Sequence, residues 1–203
     1  MGKNMRTLVG FLALAAVLFT SGCAGNIHYA IPDVSLRGQG GVFSIDKKLD
    51  IKVNLCLSDA LRATKHGAEV QIGQQLAKNS QELSEILFES VVTTKDPIKA
   101  GGQQFDATLT PRVVAIERSL GATALSESIF TIVMEWKLED MDNNILWVDT
   151  VKGEGRESTG NIFNHEAKME KQLEALLKDL FSKSFQAIKE SPEINQFAAQ
   201  KGG

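Results

Sequence analysis

The amino-acid sequence predicts an α+β domain in which two helices cover one face of a four-stranded, mostly antiparallel sheet, in the order β-α-β-β-β-α. Two kinds of hydrophobic periodicity support this prediction. Four stretches alternate apolar and polar residues, as strands with one buried face do, and two longer stretches carry apolar residues at helical spacing. Placing both helices on one face of the sheet buries both apolar stripes in a single core.

The four predicted strands differ in regularity. Residues 49–57 alternate strictly, and residues 130–138 form the most regular strand of the chain. Residues 105–109 begin another strand, which Pro111 interrupts, and the apolar phase then slips by one residue. Because proline lacks the amide donor of the ladder, we expect Pro111 on an edge strand or at a bulge. Residues 145–151 return as a strand after a turn at 140–144, which predicts an antiparallel hairpin.

The two predicted helices span about residues 70–92 and 164–190. Each carries one apolar stripe among charged residues, and Pro192 is expected to end the second helix. Asn164 is a candidate N-cap for that helix. Residues 153–160, which are polar and rich in glycine, are predicted to form a loop, and residues 191–203 a flexible tail.

The N-terminus has the order of an export signal. Lys3 and Arg6 precede an uncharged apolar run from Leu8 to Phe19. Twelve helical residues reach only about 18 Å, against about 30 Å for a hydrocarbon core, so we expect this run not to remain as a membrane span. Ser21 and Gly22 lead directly into Cys23.

The segment from Leu18 to Cys23 resembles the lipobox of bacterial lipoproteins, with Thr20 where leucine is more common. The resemblance implies cleavage before Cys23 and lipidation of that residue, including a palmitate-type acyl chain. Ala24 at the next position implies sorting to the outer membrane, with the domain on its periplasmic face. An ordinary signal peptide with an incidental cysteine is the alternative.

These observations define four segments. Residues 1–22 are the predicted signal peptide, 23–44 the lipidated N-terminus and tether, 45–190 a single α+β domain, and 191–203 the tail. Cleavage would leave 181 residues with a net charge near −5. This balance gives no reason to expect binding of nucleic acid. Cys56 would be the only free thiol, and a small packed side chain is the simpler interpretation than pairing with another chain.

No pattern in the sequence predicts chemistry. The histidines His28, His66 and His165 lie far apart and lack second ligands at a useful spacing, so no metal site is expected. The segment from Gly153 to Ser158 contains two glutamates that would repel a pyrophosphate, which argues against a nucleotide loop. Acidic residues near the predicted hairpin turn are explained by a solvated turn. We therefore expect no catalytic residue, no cofactor and no enzyme activity.

Two further stretches carry a resemblance to small envelope lipoproteins. They are the segment from Asp106 to Pro111, and Trp136-x-Leu138-x-Asp140 followed by Leu146 and Trp147. These are similar to the sheet region of the lipopolysaccharide-translocon lipoprotein, of auxiliary lipoproteins of lipid-transport ABC systems, and of N-terminal domains of curli-secretion and Tol-associated proteins. The resemblance covers about residues 49–190 and implies a non-catalytic accessory or assembly subunit of a cell-envelope complex. The alternative is a lipoprotein that holds acyl chains of a lipid or glycolipid between helices and sheet.

A partner-binding surface is predicted on the second face of the sheet. If helices cover Phe130 and its alternate neighbours, then Ile129, Thr131 and Val133 point the other way. The neighbouring strand must add either Leu146 and Val148 or Ile145 and Trp147 to that face. Contiguous exposed apolar area often marks a contact site, so we expect an envelope protein to dock there. The open alternative is that the tether folds back over this face.

Overall fold

A computed structural model describes residues 29–37, 41–96, 105–119, 127–158 and 165–201. The predicted signal peptide, Cys23, His28 and Asn164 lie outside these residues. Within them the chain forms five strands and four helices: β1 (Leu49–Cys56), α1 (Asp59–Arg62), α2 (Gly73–Leu87), β2 (Phe88–Thr94), β3 (Ala107–Ser119), β4 (Glu127–Asp140), β5 (Ile145–Ser158), α3 (His165–Glu190) and α4 (Pro192–Lys201).

The strands form one mixed sheet in the order β2-β1-β3-β4-β5. β1 pairs in parallel with both β2 and β3, whereas β3, β4 and β5 form an antiparallel meander. The predicted α+β class is confirmed. The prediction is wrong in detail, because the described residues form a fifth strand, half of the strand pairs are parallel, and there are four helices instead of two.

The fifth strand, β2, occupies the end of the segment predicted to be a helix over residues 70–92. α2 ends at Leu87, and Phe88 already has extended backbone angles of φ −105° and ψ 152°. The following sequence Val91-Val92-Thr93-Thr94 consists of β-branched residues, which lose side-chain freedom in a helix and pack well in a strand. Val91 fitted the helical spacing, but it pairs with Val53 of β1.

Pro111 lies in β3 at a position without a partner on the β1 side. β1 pairs with β3 only over Ala107 to Leu109, so the edge of β3 that faces β1 is unpaired from Thr110 onward. A bulge between Val113 and Ala115 explains the phase slip in the sequence. The sequence predicts Pro111 on an edge strand or at a bulge; it lies instead on an interior strand, in a stretch whose β1 side is unpaired, two residues before the bulge.

The core lies between the helices and one face of the sheet. Phe130, Ile132, Met134, Trp136 and Leu138 of β4 are fully buried on that face, as their alternation predicts. Phe181 of α3 meets Trp136 edge-on, with ring centroids 6.4 Å apart. The Trp136 Nε1–H donates to Ser184 Oγ at 3.0 Å, which satisfies the polar atom that the buried indole brings with it. Each such side chain contributes about 1.5–3 kcal/mol through burial.

α3 lies unusually close to β5, where the sequence predicts a polar loop over residues 153–160. Instead, β5 continues to Ser158, and Gly153 and Gly155 face α3. A Cβ at Gly153 would lie 2.5 Å from the Cβ of Leu180, and a Cβ at Gly155 would lie 2.0 Å from the carbonyl oxygen of Gln172. These glycines therefore allow the helix backbone to pack directly on the strand.

Residues 29–37, which we call the strap, are part of the fold rather than a free tether. Val34 and Leu36 are buried, and Gln75 of α2 donates its side-chain amide to the Val34 carbonyl at 3.1 Å. The Leu36 amide donates to the carboxylate of Glu82 at 2.8 Å. The strap therefore runs along α2 in the same direction as the helix.

The segment predicted as a flexible tail forms α4. The Ser191 hydroxyl accepts from the Ile194 amide at 3.2 Å, and Pro192 occupies the first helical position, where its missing N–H costs nothing. Ile194 and Ala198 are buried against the core. Pro192 thus ends α3 as predicted, but it also begins the next helix.

Candidate docking face of the sheet

The second face of the sheet carries the three residues predicted to bind a partner. Residues of β4 alternate between the core and this face, so Ile129, Thr131 and Val133 lie on it with their cross-strand neighbours. Ala115 of β3 pairs with Val133, and the register of β5 adds two longer side chains beside it. We call the surface formed by the following residues the open face: Ala115, Glu117, Ile129, Thr131, Val133, Lys152, Glu154 and Arg156.

The structure distinguishes among the three predicted residues. Ile129 and Val133 are half-buried and offer apolar side-chain surface, whereas Thr131 is only 8% exposed between its neighbours. The hairpin register matches neither option for β5 in full, because a bulge between Leu138 and Glu139 interrupts the alternation and places Ile145 opposite Glu139. Trp147 pairs with Leu138 on the core side, and Val148 pairs with Lys137 on the side of the open face, where it is exposed. The apolar part of the open face is therefore centred on Ile129 and Val133.

Ion pairs border this apolar centre. Along β5, Glu154 lies 2.7 Å from Lys152 and 2.9 Å from Arg156, and Arg156 also lies 3.5 Å from Glu127. The two basic neighbours lower the pKa of Glu154 to about 2, and Glu154 in turn raises the pKa of Arg156. The carboxylate therefore stays ionised in any physiological environment.

Similar pairs lie nearer the hairpin. Arg112 lies 2.7 Å from Glu135, and Lys137 lies 2.9 Å from Glu139. Because these charges are paired with one another, the border of the open face has little net charge. A surface of this kind favours a partner with balanced charge over a strongly acidic or basic one.

The strap does not cover the open face. Its residues contact α2 on the core side of the sheet, through the bonds to Gln75 and Glu82 and an ion pair between Asp33 and Lys78. The alternative that the tether folds back over Ile129 and Val133 is therefore wrong for residues 29–37. Among the described residues, the strap therefore does not occupy the surface beside these two apolar side chains.

Cys56 lies on the same side of the sheet, at the end of β1. It is 1% exposed, and its Sγ donates to the carbonyl oxygen of Lys95 at 3.5 Å. Burial raises the pKa of the thiol, and the nearby Asp96 raises it further. A protonated, buried thiol is a poor nucleophile and a poor metal ligand, so the interpretation of Cys56 as a packed side chain is confirmed.

His66 and Asp140, the other polar residues considered, make contacts that stabilise the fold. His66 packs its ring edge against Phe130 at a centroid distance of 5.2 Å. Asp140 accepts the backbone amides of Asp142 and Asn144 at 2.9 and 2.8 Å, and its hydrogen bonds with Asn144 lower its pKa. It thus organises the hairpin turn. Within the described ranges, no three metal-ligating side chains come together.

The close packing of α3 on the sheet is not among the features predicted from the sequence. At Gly153 and Gly155 the backbone of α3 touches β5, and the side-chain amide of Gln172 donates to the carbonyl oxygens of Ser128 and Gly155 at 2.7 and 3.1 Å. An acyl chain between α3 and β5 would have to separate these contacts. The signal in the sequence was the spacing of the glycines, which places both on the core face of an extended strand.

Comparison with known proteins gives similarity in fold only. No family model matches the chain, and no curated protein sequence matches it. A Xanthomonas campestris protein of the DUF330 family is 12% identical, with 86% of this chain and 98% of that protein covered at a TM-score of 0.49. A minor lipoprotein from Acinetobacter baumannii is 15% identical, with 71% and 94% covered at a TM-score of 0.43.

A third solved structure, of a lipoprotein from Neisseria meningitidis, is 17% identical, with 70% of this chain and 99% of that chain covered at a TM-score of 0.38. At these identities and TM-scores the similarities carry no argument about function. In the part of the chain that the structure describes, no helix is both long enough and apolar enough to cross a membrane.

Proposed function

We propose that this protein is a non-catalytic, lipid-anchored accessory subunit of a cell-envelope complex, which binds a protein partner through the open face. The observation that supports the proposal is the position of Ile129 and Val133. They form an apolar centre on the side of the sheet opposite the core, and the strap runs along α2 instead of covering them.

The anchor in this proposal is Cys23, in the outer membrane with the domain on the periplasmic side. It rests on the signal segment, because Lys3, Arg6, the apolar run and the small residues before Cys23 have the order of a lipoprotein signal. Two or three acyl chains, each contributing about 0.8 kcal/mol per buried CH₂, hold a protein on a membrane durably.

Palmitate labelling tests the anchor. We expect the Cys23→Ser variant to accumulate as an uncleaved precursor that takes up no labelled palmitate, because both processing and acylation need the cysteine thiol. Wild-type protein labelled in parallel serves as the control. Labelling of the variant at the wild-type level would contradict the anchor.

The partner in this proposal is a protein whose contact surface has little net charge. The charges of these ion pairs neutralise one another. They therefore favour a partner whose polar groups match them in position, and they give no preference for a strongly acidic or basic surface. The described pairs lie at the border and the apolar residues at the centre, which is the usual arrangement of a protein interface.

Crosslinking in intact cells tests the docking face. We expect Val133→Glu to reduce recovery of the crosslinked partner strongly, because it places a charge in the centre of the contact. Val42→Glu is the matched control, since Val42 is 52% exposed and lies beside Phe43, which packs on Phe185 of α3 on the core side.

Both variants must first melt close to the wild-type temperature, which separates a lost contact from a lost fold. If Val133→Glu destabilises the domain, Ala115→Lys supplies the charge from the neighbouring strand. Partner recovery that stays at the wild-type level in a stable open-face variant would show that docking takes place elsewhere.

A further inference from the structure

The strap leaves only a short connection between the domain and the proposed anchor. Cys23 and Tyr29 are six residues apart, and Tyr29 is already fixed to the fold, since its amide donates to the carbonyl oxygen of Glu69 at 3.1 Å. Six extended residues span at most about 20 Å. A free tether over residues 23–44 would instead reach about 70 Å.

The connection begins at one end of the domain. Glu69 belongs to the turn at residues 64–70, which is closed by two backbone bonds between His66 and Val70. His66 packs against Phe130, near the start of β4. The β4–β5 hairpin turn follows Asp140, ten residues further along β4, which corresponds to about 33 Å. We call the end formed by Tyr29 and residues 64–70 the strap end.

We propose that the strap end rests against the phospholipid bilayer that holds Cys23, with the β4–β5 hairpin turn pointing away from the membrane. This inference rests on the lipid anchor proposed above. Because the strap runs along α2 in a fixed direction and the connection is shorter than the domain, the strap end is the part of the domain that stays beside the lipid headgroups.

The charges at the strap end indicate that only the lipidated connection, and not electrostatic attraction, holds the domain on the membrane. Of the exposed residues from Lys65 to Glu69, one is basic and one is acidic, so this surface neither repels nor strongly attracts anionic headgroups. The domain should therefore leave the membrane when the anchor is lost.

The orientation limits what the open face can contact. The strands run away from the membrane, so Ile129 and Val133, which lie near the start of β4, are held close to the headgroups. Their partner must then be a protein that stands beside the domain at the membrane surface. A protein that remains far from the membrane could not reach them.

Energy transfer to lipid-bound acceptors tests the orientation. Full-length lipidated protein is labelled on a cysteine at Ala68→Cys, in the strap end, or at Asp142→Cys, in the hairpin turn, both of which are exposed. The vesicles contain phosphatidylethanolamine and phosphatidylglycerol, with an acceptor dye on a fraction of the headgroups. Cys56 is buried and is not expected to take up the dye.

We expect several-fold higher transfer from position 68 than from position 142. Inserting twelve glycine and serine residues between Gly25 and Asn26 triples the connection and should reduce the difference. Equal transfer from both positions, or higher transfer from position 142, would overturn the proposed orientation.

A control protein that lacks residues 1–22 and carries Cys23→Ser separates this inference from the proposed function, because it has neither the lipid nor the apolar run of the signal segment. Loss of all transfer in that variant, combined with equal transfer from positions 68 and 142 in lipidated protein, would leave the anchor in place and reject only the orientation. Undiminished transfer from that control protein would reject the lipid anchor itself.

Discussion

Replacing Gly155 by alanine should destabilise the domain, because the added methyl group has no space. Its Cβ would lie 2.0 Å from the carbonyl oxygen of Gln172 and 3.0 Å from the Cβ of Leu176. Side-chain carbons essentially never approach other atoms closer than 3.0 Å, so the backbone of α3 would have to move away by about 1 Å. Since the obstructing atom is backbone, no rotamer change can relieve the contact.

The expected cost follows from two effects. Overpacking of a close contact typically costs about 1–3 kcal/mol. The shift would also stretch the hydrogen bonds from the Gln172 amide to Ser128 and Gly155, each of which contributes about 1 kcal/mol. We therefore expect a loss of about 2–4 kcal/mol, or roughly 5–12 °C in Tm for a domain of this size.

Urea denaturation followed by circular dichroism measures this loss. Thr150→Ala is the matched control, because Thr150 lies on the same strand but is exposed. We expect the control to change the free energy of unfolding by at most about 0.5 kcal/mol. A Gly155→Ala variant as stable as Thr150→Ala would refute the close packing of α3 on β5.

Two further predictions follow from the strap and from the open face. Leu36→Ala should cost about 2–5 kcal/mol, because Leu36 is 1% exposed in the core, whereas a residue of a free tether would cost almost nothing; thermal melting distinguishes these outcomes. Glu154 has a folded-state pKa of about 2 against an ordinary value of 4.5, so its ionised form stabilises the fold above pH 4.5, and this contribution is lost as the pH falls from 4.5 toward 2. On acidification from pH 7 to pH 3, wild-type protein should therefore lose more stability than Glu154→Gln, and parallel pH dependences of the two would contradict the prediction.

Local periodicity determined much of the fold. Alternation in β4 predicted its five core residues. Helical spacing predicted α3 at residues 164–190, within one residue of the observed His165–Glu190. Both patterns are set by the geometry of a single element, in which the side-chain period follows from the backbone. The side of β4 that carries Ile129 and Val133 could be predicted for the same reason.

Contacts between distant segments decided the rest. Whether Val91 continues a helix or joins a strand depends on the presence of β1 beside it, because either structure could place its partly buried side chain against the core. The glycines of β5 look like loop residues until α3 is placed against them. Propensity is weak compared with such packing, so tertiary context overrides it.

The two ends of the chain also differ in what local sequence and tertiary contacts determine. The sequence by itself predicts an export-type segment that ends at Cys23, from Lys3, Arg6 and the apolar run, because charge order and hydrophobic length are local properties. Only the tertiary structure decided that Val34 and Leu36 belong to the core and that the segment after Pro192 is helical. A short segment lacks enough apolar residues to show a period, and its conformation is fixed by the groove or helix end against which it packs.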